Sequence, residues 1–177
     1  MDADGHIREK EERTFSAADR TVAEVKNRTQ AAGKIILFGH SAGGQFVHRW
    51  ALLGGKKNVD VIAVANSGWF TMPDRDIDYP YGIKNVGITD EELGEAFAKP
   101  VILFMGEKDV ERKPPFRDTP EADAQGMNRM ERCMNYFRQC KAKAEELRVP
   151  FRWKLEIVEG TAHQGVKMAE GAAAYIF

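Results

Sequence analysis

Residues 35–44 read Ile35-Ile36-Leu37-Phe38-Gly39-His40-Ser41-Ala42-Gly43-Gly44, and this stretch decides the fold. Four consecutive apolar residues with no polar alternation predict a strand buried on both faces, as in a parallel sheet. A Gly-x-Ser-x-Gly turn follows directly. From Gln45 to Leu53 the apolar spacing is helical, and Gly54-Gly55 closes the helix. A serine between a buried strand and a helix occupies a sharp, strained turn, with glycines two positions away so that strand and helix can approach. Such a turn lifts the Ser41 hydroxyl above the carboxyl end of the strand. It also sets Ser41 at a helix N-terminus, where the dipole favours developing negative charge. The backbone N–H of Ala42 is then one expected oxyanion donor.

Outward from this turn, strands and helices alternate. Upstream, residues 1–14 are polar and expected to be flexible. Ser16-Ala-Ala-Asp19 has capping-box spacing and predicts a helix to about Ala32, with Ala18, Val22 and Val25 on one face. Downstream, Val59–Ala65 is a second buried strand. Asn66–Gly87 is a long loop carrying Trp69, Phe70, Tyr79 and Tyr81, and loops of such length are usually functional. Thr89-Asp-Glu-Glu92 is a second capping box, opening a helix to about Ala98. Val101–Met105 is a third strand. Thr119-Pro120 predicts one long helix to about Leu147, with Met127, Met130, Met134, Phe137 and Leu147 on its buried face. Phe151–Val158 is the fourth strand, and a last helix spans about Gly165 to Tyr175. The expectation is a single domain, 1–177, of α/β class: a three-layer α/β/α sandwich with a mainly parallel sheet. Ligands of such sheets bind beyond the carboxyl ends of the strands.

Composition narrows the function classes. The 177 residues include 26 basic and 27 acidic side chains, a net charge of −1. That balance offers no electrostatic attraction to nucleic acid or to an anionic membrane. No apolar run approaches the roughly 18–20 residues needed to span a bilayer. The charged start MDADGHIREKEERTF is not a secretory signal. Cys133 and Cys140 lie seven apart in a helical pattern, too distant for a bridge within the helix. A reduced, cytoplasmic protein is expected. Asp74, Asp76 and Asp78 alternate as in a calcium loop, but Tyr79 and Asn85 stand where that loop needs glycine and glutamate. No Cys/His pair has zinc spacing. No metal and no cofactor are expected.

A serine hydroxyl needs a base to take its proton, and the base needs a carboxylate to hold it. His6 lies in the polar tail. His40 is inside the turn and cannot fold back onto Ser41. His48 lies two turns down the helix and reads as packing or surface. His163, in Gly160-Thr-Ala-His163, follows the fourth strand at the carboxyl edge of the sheet and is the candidate base. Asp109, just after the third strand, is the candidate acid, with Glu107 and Glu111 as nearby alternatives. His40, Trp69, Phe70, Tyr79 and Tyr81 are candidate walls of a substrate pocket, with core packing the alternative for each aromatic.

At these residues the chain resembles the α/β-hydrolase superfamily. The order Ser41, Asp109, His163 is that of the superfamily's serine, acid and histidine. Ala65-Asn-Ser-Gly-Trp69-Phe-Thr-Met-Pro73, with Tyr79-Pro-Tyr-Gly82, is similar to bacterial poly(3-hydroxybutyrate)-depolymerase-like esterases, as is Thr119-Pro-Glu-Ala-Asp123-Ala-Gln-Gly126. The resemblance implies hydrolysis of carboxylic esters through an acyl-enzyme, without a cofactor. Soluble short-chain esters are the expected substrates, since a polymer-surface enzyme is normally exported. An acyltransferase or thioesterase would use the same residues, and a non-catalytic binding or assembly protein is a third reading. The resemblance covers a C-terminal half. Only 38 residues precede Gly39, and they do not supply the early strands or the loop carrying a second oxyanion donor. The Ile35–Phe38 strand is therefore expected to present an apolar edge. A second copy or a further N-terminal segment would cover it, a dimer in the first case that light scattering would reveal.

Overall fold

The computed structural model describes residues 7–9, 12–29, 33–54 and 59–177. Four strands, β1 (Ile36–His40), β2 (Val61–Ala65), β3 (Val101–Gly106) and β4 (Lys154–Val158), form one sheet in the order β1-β2-β3-β4. Every pairing is parallel, so all four carboxyl ends open on one edge. The helices are α1 (Thr14–Thr29), α2 (Ala42–Leu53), α3 (Asp90–Phe97), α4 (Pro120–Asp123), α5 (Arg129–Glu146) and α6 (Gly165–Ile176).

Alternation along β3 explains the layers. Val101, Leu103 and Met105 join the larger core formed with α2, α3 and α5, whereas Ile102 and Phe104 face Met168 and Ala172 of α6. Helices thus cover both faces of the sheet, giving the expected α/β/α sandwich. β3 is buried throughout, while Ile36, Leu37 and Phe38 of β1 are only half-buried at the sheet edge. No helix among the described residues is long and apolar enough to cross a membrane.

The structure bears on three sequence expectations. First, α1 begins at Thr14, so Ser16 is not its cap. The Ser16 hydroxyl donates to the Arg13 carbonyl, and Asp19 accepts the Trp50 indole N–H at 3.0 Å, tying α1 to α2. Phe15 packs on Phe46 with ring centroids 5.6 Å apart, whereas Val25 is exposed. The expected end at Ala32 lies outside the described residues.

Second, among the described residues before Thr14, two make contacts with the rest of the fold. Ile7 packs against the core, and Arg13 Nη2 donates to the Val86 carbonyl at 2.8 Å.

Third, the expected helix 120–147 is two helices. Gly126 takes φ +146°, and a Cβ there would meet the Arg132 backbone nitrogen at 2.8 Å. Asn128 then caps α5 by accepting the Glu131 N–H. Buried Arg132 bridges the break, donating to the carbonyls of Gly126 and Gly68 and to Asp123. The break also rotates the buried face to Arg132, Cys133, Tyr136, Cys140 and Ala144, leaving Met127 and Met134 exposed. Met130, Phe137 and Leu147 keep partial contact with the core.

The Thr89 capping box forms as expected, Thr89 accepting the Glu92 N–H and donating its own to the Glu92 carboxylate. His48 is fully buried: Nδ1 meets the Gly44 carbonyl and Nε2 accepts the Thr71 N–H, each at 3.0 Å. The neutral tautomer with its proton on Nδ1 satisfies both contacts. Burial and, secondly, the neighbouring Arg49 cation push its pKa well below the ordinary 6.5. In that window the unfolded chain binds a proton that the folded chain refuses. Stability therefore falls as pH drops below about 6.5. The urea midpoint is expected to decline from pH 7 to pH 5, and His48→Gln, which can keep both hydrogen bonds, is expected to flatten that decline. An unchanged slope in the variant would assign the decline to other groups.

Candidate active site

The turn after β1 is strained as its sequence requires. Ser41 has φ 55° and ψ −116°, a conformation that costs a non-glycine residue about 1–3 kcal/mol. The Ser41 N–H donates to the Ala65 carbonyl at 2.9 Å, anchoring the turn to β2. A Cβ at Gly39 would stand 2.4 Å from the Gly43 carbonyl oxygen, and one at Gly44 would stand 2.6 Å from Ser67 Oγ. At Gly43 there is open space, so the close approach is enforced by Gly39 and Gly44 rather than by both glycines flanking the serine. Ala42 is the first residue of α2, and its N–H has no partner within the helix.

Three loops converge on this turn. His163 Nε2 lies 2.9 Å from Ser41 Oγ, and His163 Nδ1 lies 2.7 Å from Asp109 Oδ2. A carboxylate can only accept, so Nδ1 carries the proton. The Nε2 lone pair is then free to accept the Ser41 hydroxyl. The alternatives to Asp109 are engaged elsewhere: Glu107 accepts the Gly160 N–H, and exposed Glu111 pairs with Lys113.

Two residues that the sequence reading missed hold this arrangement. Asn66, buried at the end of β2 with φ 44°, donates to the Ala162 carbonyl at 3.0 Å and accepts the Gly106 N–H at 2.8 Å. One amide thus ties the acid-bearing loop to the histidine-bearing loop. Arg129, at the start of α5, donates from Nη1 to Asp109 Oδ1 at 3.1 Å and from Nη2 to the Pro115 carbonyl. Asp109 is therefore held from both sides, by His163 and by a buried cation. A lone Asn after a strand and one Arg among several gave no pattern to read.

The expected pocket walls divide. Phe70 is fully buried between His48 and Tyr136 and cannot line an accessible pocket. Trp69 and Tyr81 are nearly buried and lie against each other, with the Tyr81 hydroxyl bonded to Thr119 and Arg117. His40 packs on His163 at a centroid separation of 4.7 Å and faces Gly165, so it backs the histidine instead of walling a pocket. Burial, and next the charge of a protonated His163, lower its pKa and favour its neutral form. Tyr79 does line a cavity of about 370 Å³ that reaches Ala42 and includes Gln45, Phe46 and Arg49. A smaller one of about 140 Å³ touches His163, Asp109 and Arg129.

The sequence matches no protein-family model and no curated protein. Among solved structures, it superposes on poly(aspartic acid) hydrolase-1 from Sphingomonas sp. KT-1 with a TM-score of 0.91 and 33% identity, covering 98% of this chain and 67% of that one. The chain belongs to the α/β-hydrolase superfamily. It also superposes on LpqC, a poly(3-hydroxybutyrate) depolymerase from Bordetella parapertussis, with a TM-score of 0.92 and 31% identity over its full length. This α/β-hydrolase chain spans 60% of that relative's length.

Proposed function

We propose that this chain is a serine hydrolase of carboxylic esters. The observation that carries the reading is the continuous hydrogen-bonded line from Ser41 through His163 to Asp109, 2.9 and 2.7 Å long in its two links. Ser41 Oγ attacks the acyl carbon while His163 Nε2 takes its proton. The Ala42 N–H, at the positive end of α2, donates to the oxyanion. Collapse of the tetrahedral species breaks the acyl–oxygen bond, and His163 returns the proton to the departing alcohol. Water repeats the sequence with His163 again as base, releasing the acid and restoring Ser41. Asp109 holds the tautomer and stabilises the imidazolium that forms transiently.

The two relatives are named for a polyester and for a polyanion. The same attack serves either backbone, and short soluble esters are the simplest substrates that test it. A fluorophosphonate probe on the intact protein, read by mass spectrometry, is expected to label Ser41. Labelling is expected to vanish in Ser41→Ala and His163→Ala. A folded wild-type chain that takes no label would overturn the reading.

A further inference from the structure

Two hydrogen bonds hold the His163 ring, one at each nitrogen. They fix a line through the ring but not its plane. Both nitrogens direct their proton or lone pair within that plane, and in a five-membered ring the two directions are not opposite. A swing of the ring about the line through Nδ1 and Nε2 therefore spoils both angles while hardly changing either length. Hydrogen bonds weaken steeply as the angle falls. His163 stands in the loop 159–164 between β4 and α6, and its side chain is 25% exposed. The Ala162 carbonyl accepts from Asn66 Nδ2 and from the Gln164 N–H. These bonds anchor the backbone beside His163 and leave the rotation of its ring untouched.

The contact that does meet the ring comes from His40. The two centroids are 4.7 Å apart, with the planes tilted by 45°. His40 is the last residue of β1, in register with Ala65 of β2, and it directly precedes the strained Ser41. The sheet therefore fixes its backbone. Its Nε2 is buried and makes no hydrogen bond to any described residue. The side chain thus meets His163 as a ring against a ring. A neutral aromatic ring at this distance attracts a cation on its neighbour, so the contact persists when His163 takes a proton.

We propose that His40 is a positioning residue for His163: its ring sets the plane of the base, so that two consecutive residues of one turn supply the nucleophile and the support of its base. This rests on His163 as the base, and part of its test is built not to depend on turnover.

Three replacements separate the ring from its nitrogens, each checked for folding by circular dichroism. His40→Ala removes both, His40→Gln keeps polar atoms without a ring, and His40→Phe keeps a ring without nitrogens. The alanine and glutamine variants are expected to lower kcat on p-nitrophenyl butyrate by about ten- to a hundredfold with KM unchanged, up to the loss that an ångström of misplacement can cause. His40→Phe is expected to recover most of that loss. NMR of isotopically labelled histidine then reads the tautomer of His163, whose signals are identified by their loss in His163→Ala. The wild type and His40→Phe are expected to hold the Nδ1–H form alone, and His40→Gln a mixture. A folded His40→Gln that keeps either the wild-type kcat or the single tautomer overturns the assignment. So does a mixture already present in the wild type, or a folded His40→Phe as impaired as His40→Gln. If the folded wild type takes no fluorophosphonate label, the ester reading falls, and the tautomer comparison still decides the role of His40.

Discussion

Replacement of Ser41 or His163 by alanine is expected to lower kcat on a short-chain ester by about 10⁵- to 10⁶-fold, with little change in KM. The double variant is expected to be no worse than either single one. In the proposed mechanism these groups act as a unit: without the base the hydroxyl stays protonated, and without the hydroxyl the base has nothing to activate. Asp109→Asn is expected to cost about 10⁴-fold. Asp109 can only accept from Nδ1, 2.7 Å away, whereas an amide can present an N–H there and trap the tautomer whose Nε2 proton faces Ser41. Steady-state kinetics with p-nitrophenyl butyrate checks all three. An alanine variant within about tenfold of wild type would show that the hydrolysis occurs elsewhere.

Arg129→Met carries the largest expected effect on stability. Asp109 is 3% exposed and the Arg129 side chain 5%, so this ion pair has almost no water to screen it. Removing the cation leaves a buried carboxylate with one partner instead of two. Loss of one member of such a pair typically costs about 3–5 kcal/mol. The Pro115 carbonyl also loses its donor, and the Phe116 ring loses one of the guanidinium groups around it, keeping those of Arg112 and Arg132. Urea denaturation is expected to show a loss of that size. Arg129→Met combined with Asp109→Asn is expected to recover part of it, because the second change removes the unpaired charge. A double variant as unstable as the sum of the singles would mean that Arg129 supports packing rather than the carboxylate.

Most of the architecture was legible because its signals were local. Ile35–Phe38 and Val101–Met105 are unbroken apolar runs, and each became a strand of the parallel sheet. Ser41, Asp109 and His163 were placed at strand ends by the same reading, and the structure brings the three side chains together. What stayed hidden depends on contacts distant in sequence. Arg129 reaches Asp109 across 20 residues, and Asn66 reaches Ala162 across 96. No periodicity records such pairings. Phe70 could have been either wall or core, and only the stack on Tyr136 decides for core. The break in the long helix was different. Gly126 and the Asn128–Glu131 cap were in plain view, but the Thr119-Pro120 start and the methionine spacing masked them.

The two cysteines of α5 have a practical meaning. Cys133 and Cys140 are buried, and desolvation pushes both thiols above their ordinary pKa, so neither offers a thiolate to a reagent in water. For labelling chemistry the folded molecule behaves as though it had no sulfhydryl. A single cysteine introduced on the exposed side of α1, at Lys26 for example, would take a fluorophore or spin label site-specifically, with both native cysteines left in place.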